Sequence, residues 1–489
     1  MKKVSIDPIT RLEGHGKIEI FIDDAGEVAN VYFQVPELRG FERFCVGRPV
    51  EELARITPRI CGVCPEAHHV ASTKAIDECF GVQPTPTARK LRELLYNAFT
   101  AGDHCTHFFV LAGPDFVVGP TADPAERNIL GVVAKVGLEL AGQVIKMRAD
   151  SNELVSIIGG KAIHPVMGLP GGVSKALSAE EAQRVKEIAA FQVEFSKIAL
   201  DVFDKIVLGN SDYVDLIKSE AFSHRTYYMG MVDEANKINF YDGKIRVVDP
   251  DGSEFIKFEG RDYLAHLAEH VEPYSYLVYP YLKGVGWKGF VDGKESGVYR
   301  AAPLARCNAA DGMATPLAQQ AYEHLYSTLG GKPVHATLAT HWARLVELQY
   351  AAERALELAN DPEITGTDIR NVPTGVVGEG VGVVEAPRGT LYHHYKTDRQ
   401  GIVTSVNLIV GTTNNNAAIS MSLKKAAQGL IKPDGEISEG LLNEVEMAFR
   451  AYDPCFGCAT HTLYGEMPLE VTVRHAPSGV VLSSARRFM

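Results

Sequence analysis

The sequence predicts a mainly α-helical protein with β excursions, α+β in class, carried by one large domain over residues 1–489. Three observations predict it. Apolar residues recur at helical spacing through long central stretches, while strand-like alternation is confined to the N-terminal end and a few later segments. The composition is that of a chain that buries a large core, 46% hydrophobic and 22% charged. No low-complexity linker and no internal repeat divides it.

The elements follow in order. Residues 3–35 read as β: Lys17–Ile22 alternates polar and apolar side chains, Asp24-Ala25-Gly26 supplies a turn, and Val28–Val35 alternates again. Residues 87–112 read as helix, with Leu91, Leu94, Leu95 and Phe99 at helical spacing. A long helical region covers 124–157. The next starts at the N-cap Ser178, with Glu180 and Glu181 in its first turn, and runs to Gly209. Residues 237–258 read as a β-meander with turns at Asp242-Gly243 and Asp251-Gly252. Helices return at 316–329, 339–359, 417–430 and 439–451. Gly375–Gly389, with five glycines, is expected to be irregular. Its Gly378-Glu379-Gly380-Val381-Gly382 lacks the strand–turn–helix context of a dinucleotide fingerprint. Leu469–Arg474 reads as a strand.

Charge narrows the function classes. A formal net charge of −12 argues against nucleic-acid binding and against attraction to an anionic membrane. Lys2 and Lys3 are followed by no apolar run, so no secretory signal is expected. The apolar stretch Phe108–Pro120 is interrupted by Gly113, Pro114 and Asp115. No direct membrane span is expected, and the location expected is cytoplasmic. Eight cysteines are too sparse for a disulfide scaffold. Cys45, Cys79, Cys105 and Cys307 are scattered and are expected to be buried small apolar residues.

The other four form two Cys-x-x-Cys pairs. One lies in Arg59-Ile60-Cys61-Gly62-Val63-Cys64-Pro65-Glu66-Ala67-His68-His69, the other in Asp453-Pro454-Cys455-Phe456-Gly457-Cys458-Ala459-Thr460-His461. Two intervening residues let both thiolates of a pair turn toward one metal, and glycine inside the knuckle permits the tight path. Spacing leaves structural zinc and a catalytic centre of soft metals in competition, with a dithiol redox pair behind them. Zinc ribbons separate their pairs by about 15–20 residues, whereas 390 residues intervene here. Arg59, His68, Asp453 and His461 frame the pairs. A site that moves protons needs such titratable neighbours, and structural zinc does not.

Together these segments resemble the large subunit of nickel–iron hydrogenases. Asp7-Pro8-Ile9-Thr10-Arg11-Leu12-Glu13-Gly14-His15, Arg39-Gly40-Phe41-Glu42 and Glu385-Ala386-Pro387-Arg388-Gly389 complete the family's five blocks in order, covering residues 7–461. The resemblance implies that family's fold with a central helical bundle, and reversible heterolytic cleavage of dihydrogen. It implies Cys61 and Cys455 as terminal nickel ligands, and Cys64 and Cys458 as bridges to an iron bearing carbon monoxide and two cyanides. Glu13 would accept the proton beyond the Cys455 thiolate. Arg388 would hang over the metals, held by Asp115 and Asp453, with His68 among the proton-handling groups. Pro387, Arg388 and Thr412 would line the pocket of the diatomic ligands. Glu42, His461 and the backbone carbonyl near Leu408 would bind a magnesium or iron ion. Each has a plainer reading: Glu13 as an ion pair with Arg11, His68 as a core histidine, Arg388 as a surface charge, Asp115 as a turn cap, Glu42 paired with Arg39 or Arg43.

The remaining cysteines show no spacing suited to an iron–sulfur cluster, so the chain by itself has no outward path for electrons. A partner with clusters is implied, and the resemblance identifies it as a hydrogenase small subunit. Cys64-Pro65-Glu66-Ala67-His68-His69 and Pro303-Leu304-Ala305-Arg306 are most similar to the cytoplasmic, multi-subunit branch that does not use deazaflavin and feeds heterodisulfide-reductase-type partners, with the nicotinamide-linked and sulfur-reducing relatives as close alternatives. Where many relatives carry Pro-Thr-Thr-Trp, this chain has Val410-Gly411-Thr412-Thr413-Asn414. Residues 462–489 extend past His461, and in the family a maturation protease removes such a tail. The alternative to an enzyme is a zinc-stabilised or metal-free hydrogenase-like scaffold; retention of all four cysteines argues against the metal-free form.

Overall fold

The computed structural model describes residues 2–433, 435–460, 469–474 and 480–487. Strands β1 (Lys2–Ile6), β2 (Lys17–Ile22) and β3 (Val28–Gln34) form an antiparallel sheet in that order. The period of two in β2 sends Ile18, Ile20 and Ile22 into the core. Phe33 of β3 meets Phe449 and Phe456 at centroid distances of 5.6 and 5.2 Å, which seats this sheet against the second cysteine pair.

Helix α1 (Pro65–Cys79) begins at the first pair, with Cys64 at its N-cap and Pro65 pre-set for the first turn. In α2 (Pro86–Thr106) the Thr85 side chain accepts from the Ala88 N–H. The helix predicted to reach residue 112 widens after Thr106 into π-helical turns, His107–Ala112 and Pro114–Val118. Such turns are frequent at functional sites. Helix α3 (Ile129–Gly159) is capped by Asn128 and breaks at Gly137, where φ is 85°. Helix α4 (Ala179–Phe203) starts in a capping box, Ser178 with Glu181.

The meander comprises β4 (Tyr227–Val232), β5 (Lys244–Val248) and β6 (Glu254–Glu259), so its first strand precedes the predicted stretch. After α5 (Pro303–Ala309) and α6 (Pro316–Leu329) comes α7 (Thr340–Ala359), buried on almost every face and packed on α2, α4, α5 and α6. It is the axis of the helical bundle.

Gly375–Gly389 corrects the expectation of irregular chain. Glu379–Ala386 is strand β7, paired antiparallel with β8 (Gly389–Thr397), which pairs with β9 (Val403–Ile409). The glycines permit the strand to lie directly on α1. A Cβ on Gly380 would collide with the Ala75 carbonyl, and one on Gly382 with that of Ala71. Helices α8 (Asn416–Leu430) and α9 (Glu439–Arg450) bring the chain back to the second cysteine pair. Strands β10 (Leu469–Arg474) and β11 (Val481–Arg487) form a two-stranded sheet with each other. Among the described residues no helix is long and apolar enough to cross a membrane.

Candidate metal centre

The two knuckles meet although 390 residues separate them. The sulfur atoms of Cys61, Cys64, Cys455 and Cys458 all lie within 4.8 Å of one another and are buried. Cys61 faces Cys455 at 3.4 Å, Cys64 faces Cys458 at 3.5 Å, and Cys455 and Cys458 are 3.0 Å apart. Local chain geometry aims them. A 3-10 turn, Thr57–Ile60, delivers Cys61, whose sulfur accepts from the N–H groups of Val63 and Cys64, each at 3.2 Å. Asp453 takes φ 53° ahead of Cys455, a conformation rare outside glycine and held by its surroundings.

Arg39 ties the knuckles together. Its guanidinium donates to the carbonyls of Ile60, Arg59 and Gly457, and its N–H donates to the Thr460 carbonyl at 2.7 Å. A buried cluster of four sulfurs does not carry four negative charges unaided. Its neighbouring sulfurs, Cys455 first, draw the Cys61 thiol well below its usual pKa, while burial pushes Cys455 and Cys458 well above theirs. A soft cation is what this donor set lacks, and thiolates select one.

Glu13 runs beside Cys455 in a short parallel bridge. Its Oε2 lies 2.9 Å from the Cys455 sulfur and accepts from the Gly457 N–H at 2.9 Å. The plain ion pair with Arg11 is not made. Arg11 pairs instead with Asp115 at 2.5 Å.

Arg388 is no surface charge: it is 4% exposed. Its Nε donates to the Asp453 carbonyl at 2.7 Å, and its Nη2 lies 2.8 Å from the Asp453 carboxylate. The expectation for Asp115 fails here. Asp115 is buried between Arg11 and Arg450, and the second acid facing Arg388 is Asp103 of α2, at 3.5 Å. The reason is register: Asp115 sits in the second π-helical turn, past the point where α2 leaves the site.

A small cavity lies on one side of the sulfurs. Cys64, Cys458, His68, Ala386, Arg388 and Thr412 are among its walls; Cys61 and Cys455 are not. Pro387, expected there, is absent from the lining. Its carbonyl is taken by Arg306 at 3.1 Å. Thr412 Oγ accepts from the Cys455 N–H at 3.1 Å, which leaves its own proton to donate. Arg388 Nη1 is buried with no hydrogen-bond acceptor among the described residues. His68 Nε2 stands 3.5 Å from the Cys458 sulfur.

Glu42 and Leu408 are brought together, through the Leu408 N–H donating to Glu42 Oε1 at 2.6 Å. His461, expected to join them, lies outside the described residues.

Sequence reasoning missed several supports. Asp103, in the last turn of α2 beside His104, belongs to none of the motif segments read from the sequence. Arg306 is fully buried; it pairs with Glu347 at 2.6 Å and Glu385 at 3.1 Å and donates to the carbonyls of Ala386 and Pro387. Asn415 accepts from the Ala301 and Ala302 N–H groups and donates to the Arg388 carbonyl at 2.7 Å. This amide brace is what the departure at Val410–Asn414 leads into. His164 Nε2 lies 3.2 Å from the Cys61 carbonyl.

Comparison with known proteins agrees with this geometry. The family described as nickel-dependent hydrogenase matches residues 39–135 and 229–461, and a HoxL-like family matches residues 3–38. The chain is 50% identical over 488 residues to an F420-non-reducing hydrogenase iron-sulfur subunit of Archaeoglobus profundus, covering 100% of both chains. It is 37% identical to the beta chain of the NAD-reducing hydrogenase HoxS of Cupriavidus necator, covering 99% of this chain and 100% of that one. Among solved structures, an NAD+-reducing [NiFe]-hydrogenase in the H2-reduced state superposes with a TM-score of 0.87 at 37% identity, over 94% of this chain and 100% of that one.

Proposed function

The chain belongs to the nickel-dependent hydrogenase family as a catalytic large subunit, an oxidoreductase acting on dihydrogen, and on that premise we propose how its residues divide the work. The four cysteines would hold the centre, Cys61 and Cys455 as terminal ligands of nickel and Cys64 and Cys458 as ligands shared between nickel and iron. The carrying observation is the cavity that touches Cys64 and Cys458 but neither of the other two sulfurs, which supports iron and its diatomic ligands on that side. When bound, nickel and iron supply a redox-active Lewis-acidic pair that makes dihydrogen acidic enough to split.

The chain's own groups then handle the proton and the field. The Cys455 sulfur receives the proton, and Glu13 Oε2, 2.9 Å away, carries it outward. Arg388, held by Asp453 and Asp103, keeps a permanent positive charge over the centre. Its Nη1, 3.5 Å from Asp103 and making no hydrogen bond among the described residues, and the Thr412 hydroxyl would offer donors to one carbon monoxide and two cyanide ligands on iron. Glu42, the Leu408 carbonyl and His461 would hold a magnesium or iron ion.

Electrons leave through a small subunit bearing iron–sulfur clusters. Relatives named as subunits of F420-non-reducing hydrogenases support other subunits in the complex; we take these to be of heterodisulfide-reductase type, in a cytoplasmic setting. Residues 1–489 form one domain whose tail, 462–489, a maturation protease removes. The family match ending at residue 461 and the self-paired hairpin β10–β11 support that reading.

Elemental analysis of the purified complex, with infrared spectroscopy, tests the assignment. Nickel and iron with carbon monoxide and cyanide stretching bands are expected. Zinc without nickel or iron, or a spectrum without those bands, overturns it.

A further inference from the structure

The cavity beside Cys64 and Cys458 has two backbone walls: residues 386–388, at the turn between β7 and β8, and residues 410–412, which lead into α8. The walls come from separate segments and meet through glycine. A Cβ on Gly389 would stand 2.4 Å from the Gly411 carbonyl oxygen, and one on Gly411 would stand 3.0 Å from that of Gly389. Residues without side chains allow this approach. It also buries a set of backbone carbonyls, each of which needs a donor.

Side chains behind the walls supply those donors. Arg306 donates to the carbonyls of Ala386 and Pro387 at 2.8 and 3.1 Å. Asn414 Nδ2 donates to those of Thr390 and Val410 at 2.6 and 3.0 Å. Asn415 Nδ2 takes one carbonyl from each wall, Arg388 at 2.7 Å and Gly411 at 3.2 Å. Its Oδ1 accepts from the N–H groups of Ala301 and Ala302, at 2.8 and 3.1 Å, at the start of α5. The amide is saturated, and its orientation is fixed: two N–H groups demand the oxygen on one side, and two carbonyls demand the nitrogen on the other. Asn415 is buried and is not itself a wall of the cavity.

In a planar trans peptide the carbonyl of one residue and the N–H of the next point to opposite sides. Holding the Gly411 carbonyl toward Asn415 therefore turns the Thr412 N–H away from it. That N–H makes no hydrogen bond among the described residues, and Thr412 lines the cavity. We propose that Asn415 is a positioning residue that fixes the spacing of the two walls and aims the Thr412 N–H into the cavity. The inference rests on the reading of that cavity as the place of the diatomic ligands. A group one shell out that orients a donor to such a ligand tunes the electron density at iron without touching it.

The test is infrared spectroscopy of the intact complex carrying Asn415→Asp, Asn415→Ser or Asn416→Asp, with metal content and melting temperature measured in parallel. Asn415→Asp keeps the shape and the accepted bonds but offers at most one proton to two carbonyls. Asn415→Ser offers one proton from a shorter side chain. Asn416 is the control: it is one residue on, equally buried, and donates to the Val278 carbonyl at 2.7 Å, which belongs to neither wall. In both Asn415 variants the carbon monoxide and cyanide bands are expected to move to lower wavenumber by more than a linewidth. In Asn416→Asp they are expected to hold the wild-type positions although the protein melts lower. Bands unmoved or moved upward in the metal-loaded Asn415 variants overturn the inference, as does an equal shift in Asn416→Asp. If one Asn415 variant fails to load metal, the other decides; if neither loads, the residue serves folding and the inference falls. Absence of the bands from the wild-type complex overturns instead the diatomic-ligand reading on which it rests.

Discussion

Glu13 shows what a single side chain does at this centre. Its backbone carbonyl takes the Phe456 N–H at 3.0 Å, and its carboxylate takes the Gly457 N–H and faces the Cys455 sulfur. Glu13→Gln keeps the shape and most of the hydrogen bonds but cannot shuttle a proton. It is expected to leave nickel and iron loading intact while lowering hydrogen–deuterium exchange by about 100-fold or more, the scale of a positioned acid–base group. Exchange at the wild-type rate counts against the relay. A second residue reports on pH. Burial alone raises the Glu269 carboxyl from 4.5 to about 7. Its folded-state value exceeds its unfolded one, so the native state binds the extra proton. Stability is then greatest below the unfolded value and falls as pH climbs to about 7. Glu269→Gln is expected to melt higher than the parent at about pH 8 and together with it at about pH 5. A gain that is equal at both pH values refutes the cause.

At the scale of elements, the site is held by close approach and by buried charge. Strand β7 lies on helix α1 because Gly380 and Gly382 leave room for the helix carbonyls. Gly382→Ala forces the two apart at the helix that begins at Cys64. A loss of about 1–3 kcal/mol is expected, the cost of overpacking a filled core. Thermal unfolding checks it, and an unchanged melting temperature means the strand can shift freely. Arg306 works from the other side, between Glu347 and Glu385 and under the carbonyls that precede Arg388. Burial would raise Glu347, but Arg306 overcomes it and holds that carboxyl down to about 2. Arg306→Met leaves those acids without their cation. It is expected to cost about 3–5 kcal/mol in chemical denaturation, the penalty for breaking a buried ion pair.

At the scale of the molecule, two knuckles from opposite ends of the chain close one centre, so the site is complete only when the whole bundle is folded. The tail beyond His461 follows the second knuckle directly. Mass spectrometry of the mature protein is expected to show a C-terminus at His461, a loss of residues 462–489. A full-length chain in the nickel-loaded, active complex refutes the processing step.

How much of this was legible divides along physical lines. The cysteine pairs stand in short segments whose chemistry is local: two thiols three residues apart, a turn that aims them, a titratable neighbour; Glu13, Arg388 and Thr412 entered only through the family resemblance, since by themselves Glu13 reads as an ion pair and Arg388 as a surface charge. The helix cap at Ser178 was legible for the same local reason as the pairs, since it involves the next turn only. The strand at Glu379–Ala386 was hidden because glycine lowers strand preference in isolation, and here serves a packing contact with a helix far away in sequence. Asp115 was made a partner of Arg388 by the resemblance alone; its own neighbourhood reads as a turn cap. The choice between Asp103 and Asp115 depends on where α2 widens into π-helical turns and which way its acids then face. The same holds for Asn415, whose partners come from three separate segments of the chain. The sequence by itself determined which groups can bind soft metals and move protons. The tertiary structure decided which of those groups stand within 3 to 4 Å of one another, because hydrogen bonds and ion pairs depend on distance in space and not along the chain.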